Sequence, residues 1–291
     1  MSVETQIGAP TPVAPRRTKR RSPVLAALRT RNGIAGLICV GLVVVAGLLA
    51  PWLAPADPLA QVSGADLLSS AQHPLLGTDE LGRDVFSRLL FGIREDLLII
   101  VAGVGIGSVV GTALGLFATA NAIIDTIVQR LIDLLLAMPG LLIGALLAAF
   151  LGPGRGTVIV VIALANIPAF GRLTRTAVQT QMTRDYVVAA QTLGMSRPRL
   201  LVRQVLPNSV DAVIVHAALA CGHAAFLEGG LSLVGFGINP PTPSLGSLIN
   251  GSLPYLATQP MYAVGPMAVI MVLVIGFNLI GDAINKGLRS G

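Results

Sequence analysis

Residues 184–208, RDYVVAAQTLGMSRPRLLVRQVLPN, form a long polar stretch inside a chain that is otherwise mostly apolar. Six arginines and a single acid fall between Arg172 and Arg203. Of the 291 residues, 53% are hydrophobic and only 12% are charged, whereas about 25% are charged in an ordinary soluble domain. The composition predicts a polytopic membrane protein, and the polar stretch is expected to lie at the membrane surface.

Blocks without charged residues predict where the chain crosses the membrane. About 20 apolar residues are enough to span a bilayer as a helix. The uncharged blocks cover residues 33–56, 97–124, 134–154, 156–171, 212–227 and 229–281. The prolines and glycines of residues 238–260 divide the last block, so a separate final helix is expected at about 262–284. The prediction is an all-α fold with six transmembrane helices.

The distribution of basic residues predicts the orientation, because short cytoplasmic loops are enriched in Lys and Arg. Residues 16–31 hold seven basic residues and no acid, whereas residues 57–96 hold seven acids and three arginines. The stretch 172–203 and the tail with Lys286 and Arg289 are also basic. Both termini and the polar stretch are therefore expected in the cytoplasm, and Arg155 is the one residue that does not fit this pattern.

The polar stretch has an internal order that a simple topology signal would not need. Asp185 is a suitable N-cap for a short helix that is expected to end at Gly194, since glycine readily adopts the left-handed conformation. A second helix tolerates Pro198 in its first turn and is expected to stop at Pro207. Two short helices joined by a glycine turn favour a docking segment for another protein.

This segment resembles the EAA loop in the membrane subunits of bacterial binding-protein-dependent ABC importers. In that family Glu-Ala-Ala is followed three residues later by Gly and about a dozen residues later by Leu-Pro. The family's loop docks as a coupling helix into a cytoplasmic ATPase subunit. The resemblance implies that the ATPase is contacted here by Asp185, Tyr186, Ala189, Ala190, Gly194, Arg197, Leu206 and Pro207.

Val188 stands where the family has its glutamate. Counted from Asp185 as the N-cap, Val188 is expected at the N3 position, where a glutamate would complete a capping box. The substitution is expected to remove that cap and any polar contact that the glutamate makes with the ATPase.

The resemblance extends over about residues 30–290. Four stretches carry it: HPLLGTDELGRDVFSRLLFG (73–92), RLIDLLLAMPG (130–140), EGGLSLVGFGINPPTPSLG (228–246) and GFNLIGDAINKGLR (276–289). They are similar to the C-type permease subunits of dipeptide, oligopeptide and nickel importers. This resemblance implies a type I permease fold in the bacterial cytoplasmic membrane. Its implied partners are a homologous permease, ATPase subunits and an extracytoplasmic substrate-binding protein, with no nucleic acid.

The expected organisation follows from the spans and the resemblance together. Residues 1–32 are a basic cytoplasmic tail, and residues 33–91 are a membrane anchor with an extracytoplasmic segment. Residues 92–285 form a permease domain of five spans that contains the coupling loop at about 184–207. Residues 286–291 are a second cytoplasmic tail.

Polar residues in the fifth span are candidates for the translocation path. His216, His223 and Glu228 are costly to bury in a bilayer, so such residues usually face a bundle interior or an aqueous cavity. The alternative is hydrogen bonding between helices, including those of a partner subunit. A metal site is disfavoured, because the two histidines are seven residues apart with no evident third ligand.

Glycines at every fourth position of the second span indicate close helix packing rather than nucleotide binding. These are Gly103, Gly107, Gly111 and Gly115.

The sequence contains no Gly-x-x-x-x-Gly-Lys-Ser/Thr motif and no catalytic constellation, so the chain is not expected to be an enzyme or to hold a cofactor. Any ATP hydrolysis is expected on partner subunits. The prediction is an ATP-driven importer of dipeptides or oligopeptides. The alternatives are nickel import by the same family and a proton-driven secondary transporter that uses Glu228 and the histidines.

Overall fold

The computed structural model of the protein describes residues 27–70 and 75–289. Most of the predicted basic tail, residues 1–26, lies outside the described residues, and so does His73. In the described part the regular elements are helices, with one isolated β-bridge between Thr78 and Asp84.

Eleven α-helices follow one another in the described residues. They are α1 Arg31–Leu48, α2 Ala50–Leu53, α3 Val85–Ala118, α4 Ala122–Ala137, α5 Gly140–Leu151, α6 Arg155–Met182, α7 Asp185–Thr192, α8 Arg197–Leu200, α9 Leu206–Leu233, α10 Leu245–Ser252 and α11 Pro260–Arg289. A π-helix, Leu201–Val205, joins α8 to α9, and a 3₁₀ turn, Leu253–Tyr255, follows α10.

The prediction of six spans is confirmed, but the third span is broken. Five helices of the described chain are long and apolar enough to cross a membrane, and α4 and α5 together form a further span that bends by 88°. The bend lies at Met138 and Pro139. Met138 is extended (φ −105°, ψ 128°), as expected for a residue before proline, where the helical conformation is sterically disfavoured.

The ends of two spans differ from the uncharged blocks. Helix α3 begins at Val85 rather than at residue 97, and α6 continues to Met182, so Arg172 and Arg175 lie in a helix rather than in a loop. Both arginines bind acids of α4: Arg175 Nη2 lies 2.6 Å from Asp125 Oδ2, and Arg172 binds Asp133 at 2.7 Å. A charge-based boundary fails here because helices extend past the bilayer.

The expectation that Pro207 ends the second short helix is wrong. Residues Arg197–Leu233 form one long helix, in which a π turn precedes the proline. The Leu206 amide donates to the Leu201 carbonyl, five residues earlier. This wider turn alters the hydrogen-bond register just before Pro207, so the proline starts α9 in a position where its missing N–H costs little.

The glycine face of α3 packs directly on α6. A Cβ atom at Gly107 would lie 2.9 Å from the Ala163 carbonyl oxygen, and one at Gly111 would lie 2.6 Å from that of Ile167. Gly103 and Gly115 are similarly closed by α6. The packing role predicted for these glycines is confirmed.

Arg155, the exception to the orientation pattern, has a local partner. It stands at the start of α6 and binds both carboxylate oxygens of Glu95 on α3. A bidentate Arg–carboxylate pair of this kind fixes the relative orientation of two side chains. The arginine therefore connects the start of α6 to the interior of α3.

Candidate functional site

Helix α7, the first part of the predicted coupling segment, begins one residue earlier than expected. Arg184, not Asp185, is the N-cap: its backbone is extended (φ −84°, ψ 148°), and its side chain makes no capping hydrogen bond. Asp185 is the first helical residue, where its charge is favourable at the positive end of the helix dipole. Val188 is therefore the fourth helical residue and not N3, so the capping-box argument does not apply to it.

Gly194 ends α7 as predicted, with a φ of +78°. Its amide donates to the Gln191 carbonyl at 2.9 Å, and the Met195 amide donates to the Ala190 carbonyl at 3.1 Å. These two bonds form a Schellman motif. Ala190 and Met195 both pack on the same hydrophobic cluster, which adds the apolar contact that commonly accompanies this motif.

A small hydrophobic cluster joins the coupling segment to the membrane helices. Its buried members come from α6, α7, α8 and the π-helix: Val178, Val187, Leu200, Leu201 and Val205. Leu116 near the end of α3 packs against them. In addition, the Arg197 guanidinium donates to the carbonyl oxygen of Thr119, the residue after α3, at 2.7 Å. The segment is thus attached to the ends of both α3 and α6.

The opposite side of α7 is exposed and partly apolar. Leu193 is 87% exposed and Val188 is 53% exposed. Both lie outside the long spans, within which exposed apolar side chains would be ordinary. The Tyr186 hydroxyl donates to Gln181 Oε1 at 2.9 Å, and its side chain is also exposed. An exposed apolar patch bordered by charged residues marks an interaction surface.

The structure brings most of the predicted coupling residues together but separates two of them. Asp185, Tyr186, Ala189, Gly194 and Arg197 are exposed on the segment, and Ala190 is half-buried. Leu206 and Pro207 lie further along, at the start of α9. Contact of these residues with an ATPase stays a prediction.

The three predicted path residues lie in different environments. His216 lines a cavity of about 500 Å³ between α6, α9 and α11, together with Gln181, Asn208 and Asp211. Its ring packs edge-on against Phe170, with the ring centroids 4.7 Å apart. His223 is exposed on α9. Their role in a path stays a prediction.

Glu228 lies inside the subunit, with only 1% of the residue exposed. Its carboxyl accepts a hydrogen bond from the Ser232 hydroxyl at 2.8 Å and lies in hydrogen-bonding range of Asp96 and Ser244. Sequence reasoning missed the partner on α3, because Asp96 is counted there among the acids of the extracytoplasmic segment. No local pattern links two residues so far apart in the chain.

Comparison with known proteins identifies the class of this all-helical membrane protein. The family model described as the inner membrane component of binding-protein-dependent transport systems matches residues 107–290. The chain belongs to this family. The match contains the coupling segment, the broken third span and the polar residues of α9.

Relatives of known name cover most of the chain. The di/tripeptide transport system permease protein DppC of Pseudomonas aeruginosa is 37% identical over 89% of this chain and 88% of its own length. The glutathione transport system permease protein GsiD of Pectobacterium atrosepticum is 37% identical over 73% of this chain and 71% of its own. The probable D,D-dipeptide permease DdpC of Escherichia coli is 34% identical over 86% and 85%.

A solved structure confirms the fold. The inward-facing MetNI methionine ABC transporter contains a chain that matches with a TM-score of 0.57 and 18% identity, over 69% of this chain and 95% of that one. The predicted permease fold of ABC importers is confirmed by this likeness and by the family match.

Proposed function

We propose that this chain is the permease subunit of an ATP-driven importer of small peptides and that it receives the motion of separate ATPase subunits through residues 184–207. The observation that carries the proposal is the construction of that segment. It has an exposed apolar face on one side, and on the other it is attached to the ends of α3 and α6. Such a segment is suited to pass a displacement from a docked protein to two spans.

The names of the relatives support peptides as the substrate class. Two are named for dipeptides or tripeptides and one for glutathione, which is itself a tripeptide derivative. A cavity of about 500 Å³, whose lining includes Gln181, Asn208 and Asp211, also lies within the usual range for small-molecule sites, about 300–1,000 Å³. We assign His216 to the translocation path because it lines this cavity. His223 and Glu228 stay candidate path residues from the sequence.

The proposed assembly and orientation follow the family and the charge pattern. The partners are ATPase subunits, a substrate-binding protein and a homologous permease subunit. Both termini lie in the cytoplasm of a bacterial cell. The proposed divisions are the tail over 1–32, the anchor and extracytoplasmic segment over 33–91, the permease domain over 92–285 and the tail over 286–291.

Energetically, the ATPase has to favour one membrane conformation over the other. A docking contact of equal strength in both conformations shifts nothing, however tight it is. The attachment of the segment to the ends of α3 and α6 provides a difference, because a movement of these two helices against the rest of the bundle changes the position of the docked face.

Uptake by vesicles tests the proposed function. The subunit is reconstituted with its copurifying partners, and a labelled dipeptide is supplied with ATP, with a non-hydrolysable analogue, or with a proton gradient alone. ATP-dependent uptake that unlabelled dipeptide blocks and nickel does not block supports the proposal. Uptake driven by the proton gradient without ATP would favour the secondary transporter, and competition by nickel would change the substrate class.

A further inference from the structure

Asp96 and Glu228 form a pair of buried acids inside the subunit. Asp96 on α3 and Glu228 on α9 are each 1% exposed. Their carboxyl groups lie in hydrogen-bonding range of each other, where α3 and α9 meet the short helix α10. Two acids held together in a membrane protein need a physical explanation.

Among the described residues, the hydrogen-bond donors around the pair leave one carboxylate oxygen without a partner. The Ser232 hydroxyl donates to Glu228 Oε1 at 2.8 Å and accepts the Ile238 amide at 3.0 Å. The Leu245 amide, the first of α10, donates to Asp96 Oδ2 at 3.0 Å. The other oxygen, Asp96 Oδ1, is buried without a hydrogen-bond partner among the described residues.

Among the residues that the structure describes, no basic side chain neutralises the pair. In the described part of the chain, neither acid takes part in an ion pair with Arg or Lys. The other charged group that acts on both is Glu95 of α3, which is bound by Arg155 of α6. Helix α10 contributes only a hydroxyl and a backbone amide. Two adjacent carboxylates in a dry site repel strongly and do not both ionise.

The backbones of α3, α9 and α10 approach one another closely around the two acids. A Cβ atom at Gly246 of α10 would lie 2.6 Å from the Gly229 carbonyl oxygen of α9. One at Gly92 of α3 would lie 3.2 Å from the carbonyl carbon of Ser244. The three helices are therefore tightly packed around the pair, and a larger distance between the acids would require this packing to be broken.

We propose that Asp96 and Glu228 share one proton and that this proton fastens α3, α9 and α10 together. A protonated carboxyl donates one hydrogen bond, which is the one donor that the site lacks. A pair of carboxyls held at contact distance keeps a single proton for the same reason in aspartic proteases. This inference goes beyond transport, since it concerns the closed joint itself.

The proton makes the joint sensitive to pH in a defined direction. Unfolding exposes both acids to water, where both are ionised at neutral pH, so the folded state binds one more proton than the unfolded state. Stability therefore falls as pH rises. Loss of the proton leaves two carboxylates in contact and weakens the attachment of α10.

Infrared spectroscopy of the purified subunit in lipid tests the proposal without ATP or peptide. The C=O stretch of a protonated carboxyl is distinct from the carboxylate bands. We expect this band in the wild type and its loss in both Asp96→Asn and Glu228→Gln, because an amide then supplies the donor and the remaining acid ionises. The exposed Asp282→Asn on α11 is the matched control and keeps the band.

Other results of the same experiment would overturn the proposal. A band that survives either substitution at the pair overturns the proposal. A wild-type spectrum without the protonated-carboxyl band also overturns it. If the carboxylate bands of that wild type shift when Na⁺ or Ca²⁺ is added, the pair is a cation site instead. If the variants fail to insert, a pH titration of the wild type tests the proposal instead. We expect the protonated-carboxyl band to disappear at high pH and the melting temperature to fall with it. A band and a melting temperature that do not change with pH overturn the proposal.

Discussion

Gly107 lies on the side of α3 that contacts α6, whereas Gly105 on the same helix has open space where a Cβ would stand. We predict that Gly107→Ala destabilises the folded subunit by about 1–3 kcal/mol, the usual range for overpacking. The added methyl group would lie 2.9 Å from the Ala163 carbonyl oxygen and would force the two spans apart. Thermal unfolding of the purified subunit measures the change.

Gly105→Ala is the control for this prediction. Alanine has the better helix propensity, by up to about 1 kcal/mol, and meets no neighbouring atom here, so the melting temperature should stay or rise. Equal melting temperatures for the two variants would show that α3 and α6 do not pack as closely as the structure has them.

Arg197 connects the coupling segment to the end of α3 through the Thr119 carbonyl. We predict that Arg197→Met lowers the peptide taken up per ATP hydrolysed by a factor of roughly five, since loss of one such bond is worth about 1 kcal/mol. The cause is a looser connection between the docked face and α3. Parallel assays of ATP hydrolysis and uptake in vesicles measure the ratio.

The exposed Arg199 is two residues away, and the structure shows no bond from its side chain to α3. Arg199→Met should therefore leave the ratio close to the wild-type value. A loss of the same size in both variants would mean that the positive charge of the segment, and not the bond to Thr119, is what matters.

Single residues show what the sequence could and could not predict. The turn at Gly194 was predictable, because a left-handed residue after a short helix is a local property of glycine. The shift of the N-cap from Asp185 to Arg184 was not, since an arginine side chain has no acceptor to signal it. The pairing of Asp96 with Glu228 was also beyond reach, because it depends on how distant helices pack.

Helix α7 and the adjoining Leu193 expose apolar side chains. We predict that Leu193→Asp reduces the amount of ATPase that copurifies with the subunit by about tenfold or more, because a buried hot-spot contact is worth at least about 1–2 kcal/mol. Leu193 is 87% exposed in the isolated subunit, so the change should not harm folding. Quantitative copurification of the complex measures the effect.

Leu59→Asp provides the comparison, because Leu59 is also exposed, at 48%, but belongs to the segment between α2 and α3. It should leave the ATPase bound. Normal copurification with Leu193→Asp would remove α7 from the docking surface.

Helix positions were predicted from the sequence better than helix ends. Uncharged blocks located all six spans, since apolar length is what a bilayer demands. Proline gave two different results: Pro139 breaks the third span, whereas Pro207 lies at the start of α9 in a helix that continues past it. A π turn precedes Pro207, and its residues Leu201 and Val205 pack with Val178 of α6 and Val187 of α7, contacts that the local sequence does not show.

The fold as a connected body explains how a surface segment can act on the membrane region. Helices α3 and α6 are locked together along the glycine face, and the coupling segment is attached to the C-terminal ends of both. Ion pairs from Arg172 and Arg175 add the broken span α4 to this unit. A displacement of α7 by a docked protein is thus expected to move α3, α4 and α6 together.

The measurement that tests this account most directly is ATP-dependent dipeptide uptake by vesicles that contain Gly194→Arg or Gly235→Arg. Both glycines have a positive φ and open space around them, and both follow a helix in the same Schellman hydrogen-bond pattern, but only Gly194 lies on the coupling segment. We predict that Gly194→Arg abolishes uptake while the subunit stays inserted, and that Gly235→Arg retains it. Equal uptake by the two variants would contradict coupling through residues 184–207.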